Sequence, residues 1–105
     1  MAASPTAVCR RADVPVNGMK IISAAGRRIA LCDVAGVLYA IEDRCTHDDG
    51  PLGAGTLDGG EVECPRHGAR FDVRTGTATR MPAIVPVRTF PVRIEGDEVF
   101  LEGLG

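Results

Sequence analysis

Two short cysteine–histidine pairs constrain this chain more than any other feature. The first pair is Cys45-Thr46-His47, the second is Cys64-Pro65-Arg66-His67, and the sixteen residues 48–63 separate them. The pairs contain both histidines of the chain and two of its four cysteines. Thiolates and imidazoles are ligands that both zinc and iron accept. The rest of the chain must therefore form a scaffold that brings two separate loops together.

Each pair offers one near ligand and one far ligand, because a histidine side chain reaches farther from the backbone than a cysteine side chain. In an extended segment residues i and i+2 point the same way, so Cys45 and His47 can address one centre at two depths. Cys64 and His67 can do the same from the second loop. This arrangement favours a two-iron cluster, with the thiolates on the inner iron and the imidazoles on the outer iron.

Two other interpretations stay open at this point. A structural zinc site with two cysteines and two histidines would use the same four side chains. Zinc sites usually place the cysteines in one half and the histidines in the other, whereas here each half is mixed. The remaining alternative is that these are polar side chains packed without a metal.

Composition and charge limit the function classes. A chain of 105 residues is expected to form one domain, and a net charge of -2 without a basic cluster argues against nucleic-acid binding. The longest apolar stretch, residues 34–41, is far shorter than the roughly 20 residues of a membrane-spanning helix. The first fifteen residues do not resemble a secretory signal, so we expect a cytoplasmic protein with reduced thiols. Cys9 and Cys32 are then expected to be small buried thiols rather than a disulfide.

Short runs of β-branched and aliphatic residues alternate with glycine-containing turns, which predicts an all-β fold. The predicted strands cover residues 19–23, 28–34, 37–42, 61–63, 69–73, 87–95 and 98–102, and a hairpin over 57–64 turns at Gly59-Gly60. None of these runs has the spacing of an amphipathic helix. We therefore expect an antiparallel β sandwich or barrel.

The ligand pattern resembles that of the Rieske [2Fe–2S] family. The segment CTHDDGPL resembles the first cluster loop of that family, CPRHGARFD the second, Met81 to Pro86 the proline loop that covers the cluster, and VRTFPVRIEGDEVFLEG the closing hairpin of small Rieske ferredoxins. The resemblance implies a single Rieske domain over residues 1–105, with a cluster-binding subdomain of two loops and the proline loop at about 43–86. It also implies one [2Fe–2S] cluster with four ligands: Cys45, His47, Cys64 and His67.

The resemblance further indicates a low reduction potential within the family. High-potential Rieske proteins carry a serine and a tyrosine where this chain has Ala69 and Phe71, and two bridging cysteines where it has Gly50 and Arg66. Alanine and phenylalanine donate no hydrogen bond to the cluster sulfurs. A soluble, low-potential ferredoxin is therefore expected.

The function implied by the resemblance is one-electron transport rather than catalysis. The expected partners are an NAD(P)H-dependent ferredoxin reductase and a terminal Rieske non-haem iron oxygenase, met in brief encounters by a monomer whose ligand imidazoles face solvent. Asp48 and Asp49 are expected to form a solvated docking patch, and Leu52 and Phe71 an apolar cover near the cluster. Two alternatives are the small Rieske subunit of an NAD(P)H nitrite reductase or other multisubunit oxidoreductase, and a zinc-stapled interaction module.

Overall fold

The structure, a computed structural model, describes residues 5–46 and 49–104. This part of the chain forms eleven strands and two 3₁₀ turns, Arg11–Asp13 and Leu52–Ala54. The strands are β1 Thr6–Arg10, β2 Met19–Ala24, β3 Arg27–Val34, β4 Val37–Glu42, β5 Thr56–Asp58, β6 Glu61–Glu63, β7 Arg70–Asp72, β8 Ala78–Arg80, β9 Thr89–Phe90, β10 Val92–Glu95 and β11 Glu98–Leu101. The all-β prediction is confirmed. Within the same residues, no helix has the length and apolarity that crossing a membrane requires.

The described strands pair into three antiparallel sheets. Two of them form the base of the molecule: a three-stranded sheet in the order β1-β11-β10, and a four-stranded sheet in the order β2-β3-β4-β9. The third sheet, β5-β6-β7-β8, is built from residues 56–80, which include the second cysteine–histidine pair.

Two tight turns set the register of the four-stranded sheet. Ala25-Gly26 joins β2 to β3, and Ala35-Gly36 joins β3 to β4. All four turn residues have positive φ, from 51° at Ala35 to 91° at Gly36. Two-residue turns with this backbone match the twist of the strands that they connect. Both are glycine-containing turns of the kind that the sequence predicts between its strands.

Strand β3 is buried on both faces, because it lies between two hydrophobic cores. Ile29 and Leu31 pack in a base core together with residues of β4, β9 and β11. Ala30 and Cys32 point the opposite way, into a second core that also contains Cys45 and Cys64. Since side chains alternate along a strand, one strand supports both the base and the cysteine loops.

The prediction of one continuous strand over residues 87–95 is wrong. It is two strands, β9 and β10, interrupted at Pro91. Proline has no backbone N–H to contribute to a ladder. On either side of Pro91 the chain changes partner, because β9 pairs with β4 while β10 pairs with β11 in the other base sheet.

Two strands were not predicted, β1 and β8. Strand β1 carries mostly exposed or half-buried side chains, and it is defined by its pairing with β11, about ninety residues later in the chain. Strand β8 is similarly exposed and pairs with β7. Cys32 is buried, as expected, whereas Cys9 is only half-buried, and no disulfide joins the two.

Candidate metal centre

The first cysteine loop connects β4 to β5 and wraps its backbone around Cys45. The N–H of Cys45 donates to the carbonyl of Gly50 at 2.8 Å, and the N–H of Asp49 donates to the carbonyl of Cys45 at 2.8 Å. Asp49 adopts a φ of 62°, which turns the chain back toward the cysteine. His47 and Asp48 lie outside the described residues, so the predictions for these two residues remain predictions.

The second cysteine loop connects β6 to β7 and is closed by a tight turn. The N–H of Cys64 donates to the carbonyl of Ala69 at 2.7 Å, and the N–H of Gly68 donates to the carbonyl of Cys64 at 3.1 Å. Gly68 has a φ of 75°, and a Cβ there would meet no other atom within 4 Å. This glycine therefore serves the left-handed backbone of the turn.

The turn separates its two potential ligands by depth. Cys64 is buried, whereas His67, three residues later, is exposed. Cys45 is buried as well, and it belongs to the same core as Cys64. Leu52 and Phe71 pack in that core, as expected of an apolar cover. The structure thus brings two thiols from distant loops into one apolar interior and leaves an imidazole at the surface.

The segment 81–86 lies against the first cysteine loop. The hydroxyl of Thr46 donates to the carbonyl of Val85 at 2.6 Å. Ala83 is buried in the core that contains the two cysteines, while Met81 and Ile84 are 75% and 78% exposed. This contact is in line with the covering role expected for the loop.

Charged side chains surround the second cysteine loop in an internally paired network. The guanidinium of Arg70 lies 2.9 Å from Glu63, 3.3 Å from Glu61 and 3.5 Å from Asp58, and these carboxylates raise the pKa of Arg70. Arg70 holds neighbouring strands of its own sheet together.

Asp72 ties down the turn that follows β7. Its carboxylate accepts a hydrogen bond from the backbone N–H of Arg74 at 2.9 Å, and the Arg74 side chain lies 3.1 Å away. The guanidinium of Arg74 holds the pKa of Asp72 below its usual range. This pair is part of the scaffold rather than of the candidate metal centre.

The donor set fits a cluster with two irons, because its members lie at two depths. Cys45 and Cys64 are buried in one core, whereas His67 is exposed. A mixed histidine–cysteine [2Fe–2S] cluster needs only two protein ligands for each iron. Two buried thiols, with an imidazole nearer the surface, suit that division.

Asp43, two residues before Cys45, has a fully enclosed carboxylate that the sequence did not reveal. An acidic residue at the end of a strand is common in sequences and is usually exposed. Its partners, Arg28 and Gly53, lie far enough along the chain that only the fold reveals them.

Comparison with known proteins defines the class of this fold and site. The family described as the Rieske [2Fe-2S] domain matches residues 4–91. This chain therefore belongs to the Rieske [2Fe–2S] family, and its cofactor is one [2Fe–2S] cluster.

Several of the similar proteins are ferredoxins of about the same length. The chain is 40% identical to the ferredoxin component of biphenyl 2,3-dioxygenase from Rhodococcus jostii (strain RHA1), over 92% of this chain and 91% of that protein. It is 30% identical to the ferredoxin of carbazole 1,9a-dioxygenase from Nocardioides aromaticivorans IC177, with a TM-score of 0.90 over 94% of this chain and 97% of that one. A chain in the complex of reduced oxygenase and oxidized ferredoxin in carbazole 1,9a-dioxygenase is 36% identical, with a TM-score of 0.88 over 94% of this chain and 93% of that one.

Proposed function

We propose that this protein is a one-electron carrier whose [2Fe–2S] cluster is held by Cys45 and Cys64 on the inner iron and by His47 and His67 on the outer iron. The observation that carries this assignment is the difference in depth within one tight turn. Cys64 is buried beside Cys45, while His67 is exposed three residues later. That difference matches a cluster with one enclosed iron and one iron near the surface.

The bound cluster supplies the one-electron exchange, and the protein controls access to it. The core around Cys45 and Cys64 keeps water from the thiolates, because Leu52 and Phe71 are fully buried beside them. The exposed edge of His67 offers the shortest way for an electron to enter or leave. Ala69 is also fully buried and has no hydroxyl to donate, which supports a low potential.

The partners we propose are an NAD(P)H-dependent ferredoxin reductase and a terminal Rieske non-haem iron oxygenase. Support comes from relatives that are ferredoxin components of dioxygenase systems and from a similar chain found in a complex of oxygenase and ferredoxin. The protein would meet each partner transiently, as a cytoplasmic monomer. Its 105 residues would form one Rieske domain, with the cluster-binding subdomain at about 43–86.

An apolar surface beside the first cysteine loop suits such encounters. Met81, Ile84 and Val85 are large apolar side chains exposed within five residues of one another. Val85 is joined to Thr46, between the proposed ligands Cys45 and His47, by the hydrogen bond described above. Clustered exposed apolar side chains are a feature of protein-interaction sites, and electron-transfer partners meet through small interfaces. We therefore place the docking surface at Met81, Ile84 and Val85.

An EPR spectrum of anaerobically purified, dithionite-reduced protein tests the proposal. Mixed histidine and cysteine ligation predicts a rhombic signal with an average g value below that of [2Fe–2S] clusters with four cysteines. A colourless, EPR-silent sample with one equivalent of zinc would contradict it and favour a zinc-stapled module. Stable co-purification with a large subunit would contradict the free shuttle and favour a bound oxidoreductase subunit.

A further inference from the structure

A buried carboxylate fastens the first cysteine loop to the base of the molecule. Asp43 follows β4, and its Oδ1 accepts a hydrogen bond from the backbone N–H of Gly53 at 2.6 Å. Its Oδ2 accepts two hydrogen bonds from the guanidinium of Arg28 on β3, at 2.9 and 3.2 Å. The backbone N–H of Asp43 also donates to the carbonyl of Arg28 at 2.9 Å. One side chain thus joins β3, the end of β4 and the turn Leu52–Ala54.

The contact closes the loop that carries Cys45. Asp43 stands just before the loop and Gly53 near its end, so the hydrogen bond between them ties the two ends together. Gly53 has no room for a side chain, because a Cβ would collide with Ile21 of β2 and would lie 3.2 Å from Oδ1 of Asp43. The loop is therefore held against the four-stranded sheet by both shape and charge.

The two charges of this pair lie at different depths. The Asp43 side chain is 0% exposed, whereas the Arg28 side chain is 65% exposed. Solvent screens an exposed charge much more strongly than an enclosed one. The carboxylate also stands only two residues from Cys45. The two charges should therefore change the reduction potential of the cluster in opposite directions.

We propose that Asp43 is a positioning residue for the cluster, and that Arg28 offsets its charge. The carboxylate fixes the first cysteine loop, and the pair together adjusts the reduction potential. This inference rests on the proposed ligation by Cys45. The base sheets would then adjust the reduction potential of the cluster as well as support its loops.

Redox titration of the holoprotein, followed by EPR, tests the inference with two variants. Asp43→Asn keeps an acceptor for Gly53 but removes a negative charge, so the reduced cluster becomes more favoured. The expected change is a threefold to tenfold rise in the ratio of reduced to oxidised protein at a fixed potential, a positive shift of about 30–60 mV at 59 mV per tenfold step. Arg28→Gln removes the positive charge and should shift the potential in the negative direction, while Arg28→Lys should restore most of the original value.

Asp33→Asn is the matched control. Asp33 is also a buried carboxylate paired with an arginine, Arg11 at 2.6 Å, but its other hydrogen-bond partners are Asn17 and Gly36, which lie outside both cysteine loops. Its replacement should lower stability and leave the potential unchanged. If the two substitutions acted only by loosening the loop, the potentials of Asp43→Asn and Arg28→Gln would shift in the same direction. Two shifts of the same sign therefore overturn the inference.

Further outcomes keep this test separate from that of the proposed function. Unchanged potentials in both Asp43→Asn and Arg28→Gln also overturn the inference, even if the unmodified protein shows the mixed-ligand EPR signal. Absence of that signal from the unmodified protein overturns the proposed function instead. If Asp43→Asn does not retain its cluster, the Arg28→Gln and Arg28→Lys proteins decide, since their loops keep the carboxylate.

Discussion

At the scale of single residues, the three buried cysteines separate into two kinds. Cys45, Cys64 and Cys32 share one core, but Cys32 lies within β3 rather than in a loop. Burial, and then the charge of Asp43, raises the pKa of Cys32 to about 12. A thiol with so high a pKa stays protonated at neutral pH and is a poor metal ligand.

This difference gives a direct test of the proposed ligands. Replacing Cys45 or Cys64 by alanine should abolish cluster binding, because each removes one of two thiolates. Replacing Cys32 by alanine should retain a full cluster, with a loss in unfolding free energy on the order of 1 kcal/mol from the missing core volume. Iron and acid-labile sulfide per chain are the measurements. A Cys32→Ala protein without iron would contradict the assignment.

Ala69 offers a second test, of the expected low potential. Ala69→Ser places a hydroxyl next to the second cysteine loop, and a hydrogen bond to a cluster sulfur would favour the reduced state. The expected rise in potential is several tens of millivolts and at most roughly 100 mV, from the strength of hydrogen bonds to charged groups and 59 mV per tenfold step. Ala30→Ser, in the same core but on β3, should lower stability without changing the potential. Equal shifts in the two proteins would contradict the expectation.

Asp33 makes the stability of the base dependent on pH. Hydrogen bonds from the Arg11 side chain, and then from the backbone N–H groups of Gly36 and Asn17, hold the pKa of Asp33 below its usual range despite burial. Because the folded-state pKa is lower than the unfolded-state value of about 3.9, this carboxylate stabilises the fold above that value. Its contribution is lost as the pH falls through the lower, folded-state pKa.

Thermal unfolding of the unmodified and Asp33→Asn proteins between pH 7 and pH 3 measures this contribution. At pH 7 the variant should be less stable by about 1–3 kcal/mol, since it loses charged hydrogen bonds in a buried place. The difference between the two proteins should shrink as the pH falls. Asp97→Asn is the control, because Asp97 forms a mostly exposed pair with Arg10 at 3.4 Å. A difference that stays constant with pH would contradict this explanation.

At the scale of elements, the two cysteine loops depend on close backbone packing as well as on hydrogen bonds. A Cβ on Gly55 would collide with the carbonyl of Glu63, at the end of β6 and next to Cys64. The backbone of Gly55 has a φ of -92°, which any residue can adopt. A side chain at position 55 is therefore excluded because the stems of the two cysteine loops, at Gly55 and Glu63, lie so close together.

Gly55→Ala should consequently cost roughly 3 kcal/mol of unfolding free energy, because the stems must move apart, and it should speed cluster loss. Gly26→Ala is the matched control. Its φ of 74° strains an alanine, but a Cβ there meets nothing within 4 Å, so the cost should be about 1 kcal/mol. Urea unfolding midpoints compare the two. Equal losses of unfolding free energy in the two variants would contradict the prediction, because they would show that the loop stems can separate at little cost.

Elements with a local signal were predictable, and those defined by distant partners were not. The bounds of β4 and β6 match the predicted strands at 37–42 and 61–63, because turn residues flank each run. Strand β1 depends on pairing with β11, so its own five residues carried little signal. The interruption at Pro91 follows from a change of sheet, which a run of β-forming residues does not reveal.

At the scale of the whole molecule, the exposed apolar surface at Met81, Ile84 and Val85 lies beside the cluster loops rather than on the base. If partners dock there, Met81→Ser combined with Ile84→Ser should lower kcat/KM for electron delivery to a terminal oxygenase about tenfold, or ~1.4 kcal/mol. The reduction potential should not change, because neither side chain is charged.

Val16→Ser provides the control for this prediction. Val16 is 83% exposed and precedes β2 in the base, so it is equally apolar and equally accessible. Its replacement should leave the delivery of electrons unchanged. Stopped-flow reduction of the oxygenase by each protein is the measurement. Normal rates in the Met81 and Ile84 double variant would place the docking surface elsewhere.

The sequence by itself determined which kind of cofactor this protein can bind. Two cysteine–histidine pairs at fixed spacings and glycine turns between short strands are local features, and they were sufficient to predict a β fold and a Rieske [2Fe–2S] cluster. Only the tertiary structure decided that Cys45 and Cys64 share one core with β3, and that Asp43 meets both Arg28 and Gly53. The physical reason is that these contacts join residues distant in the chain. Their energies depend on burial and packing, which arise only when the sheets have come together.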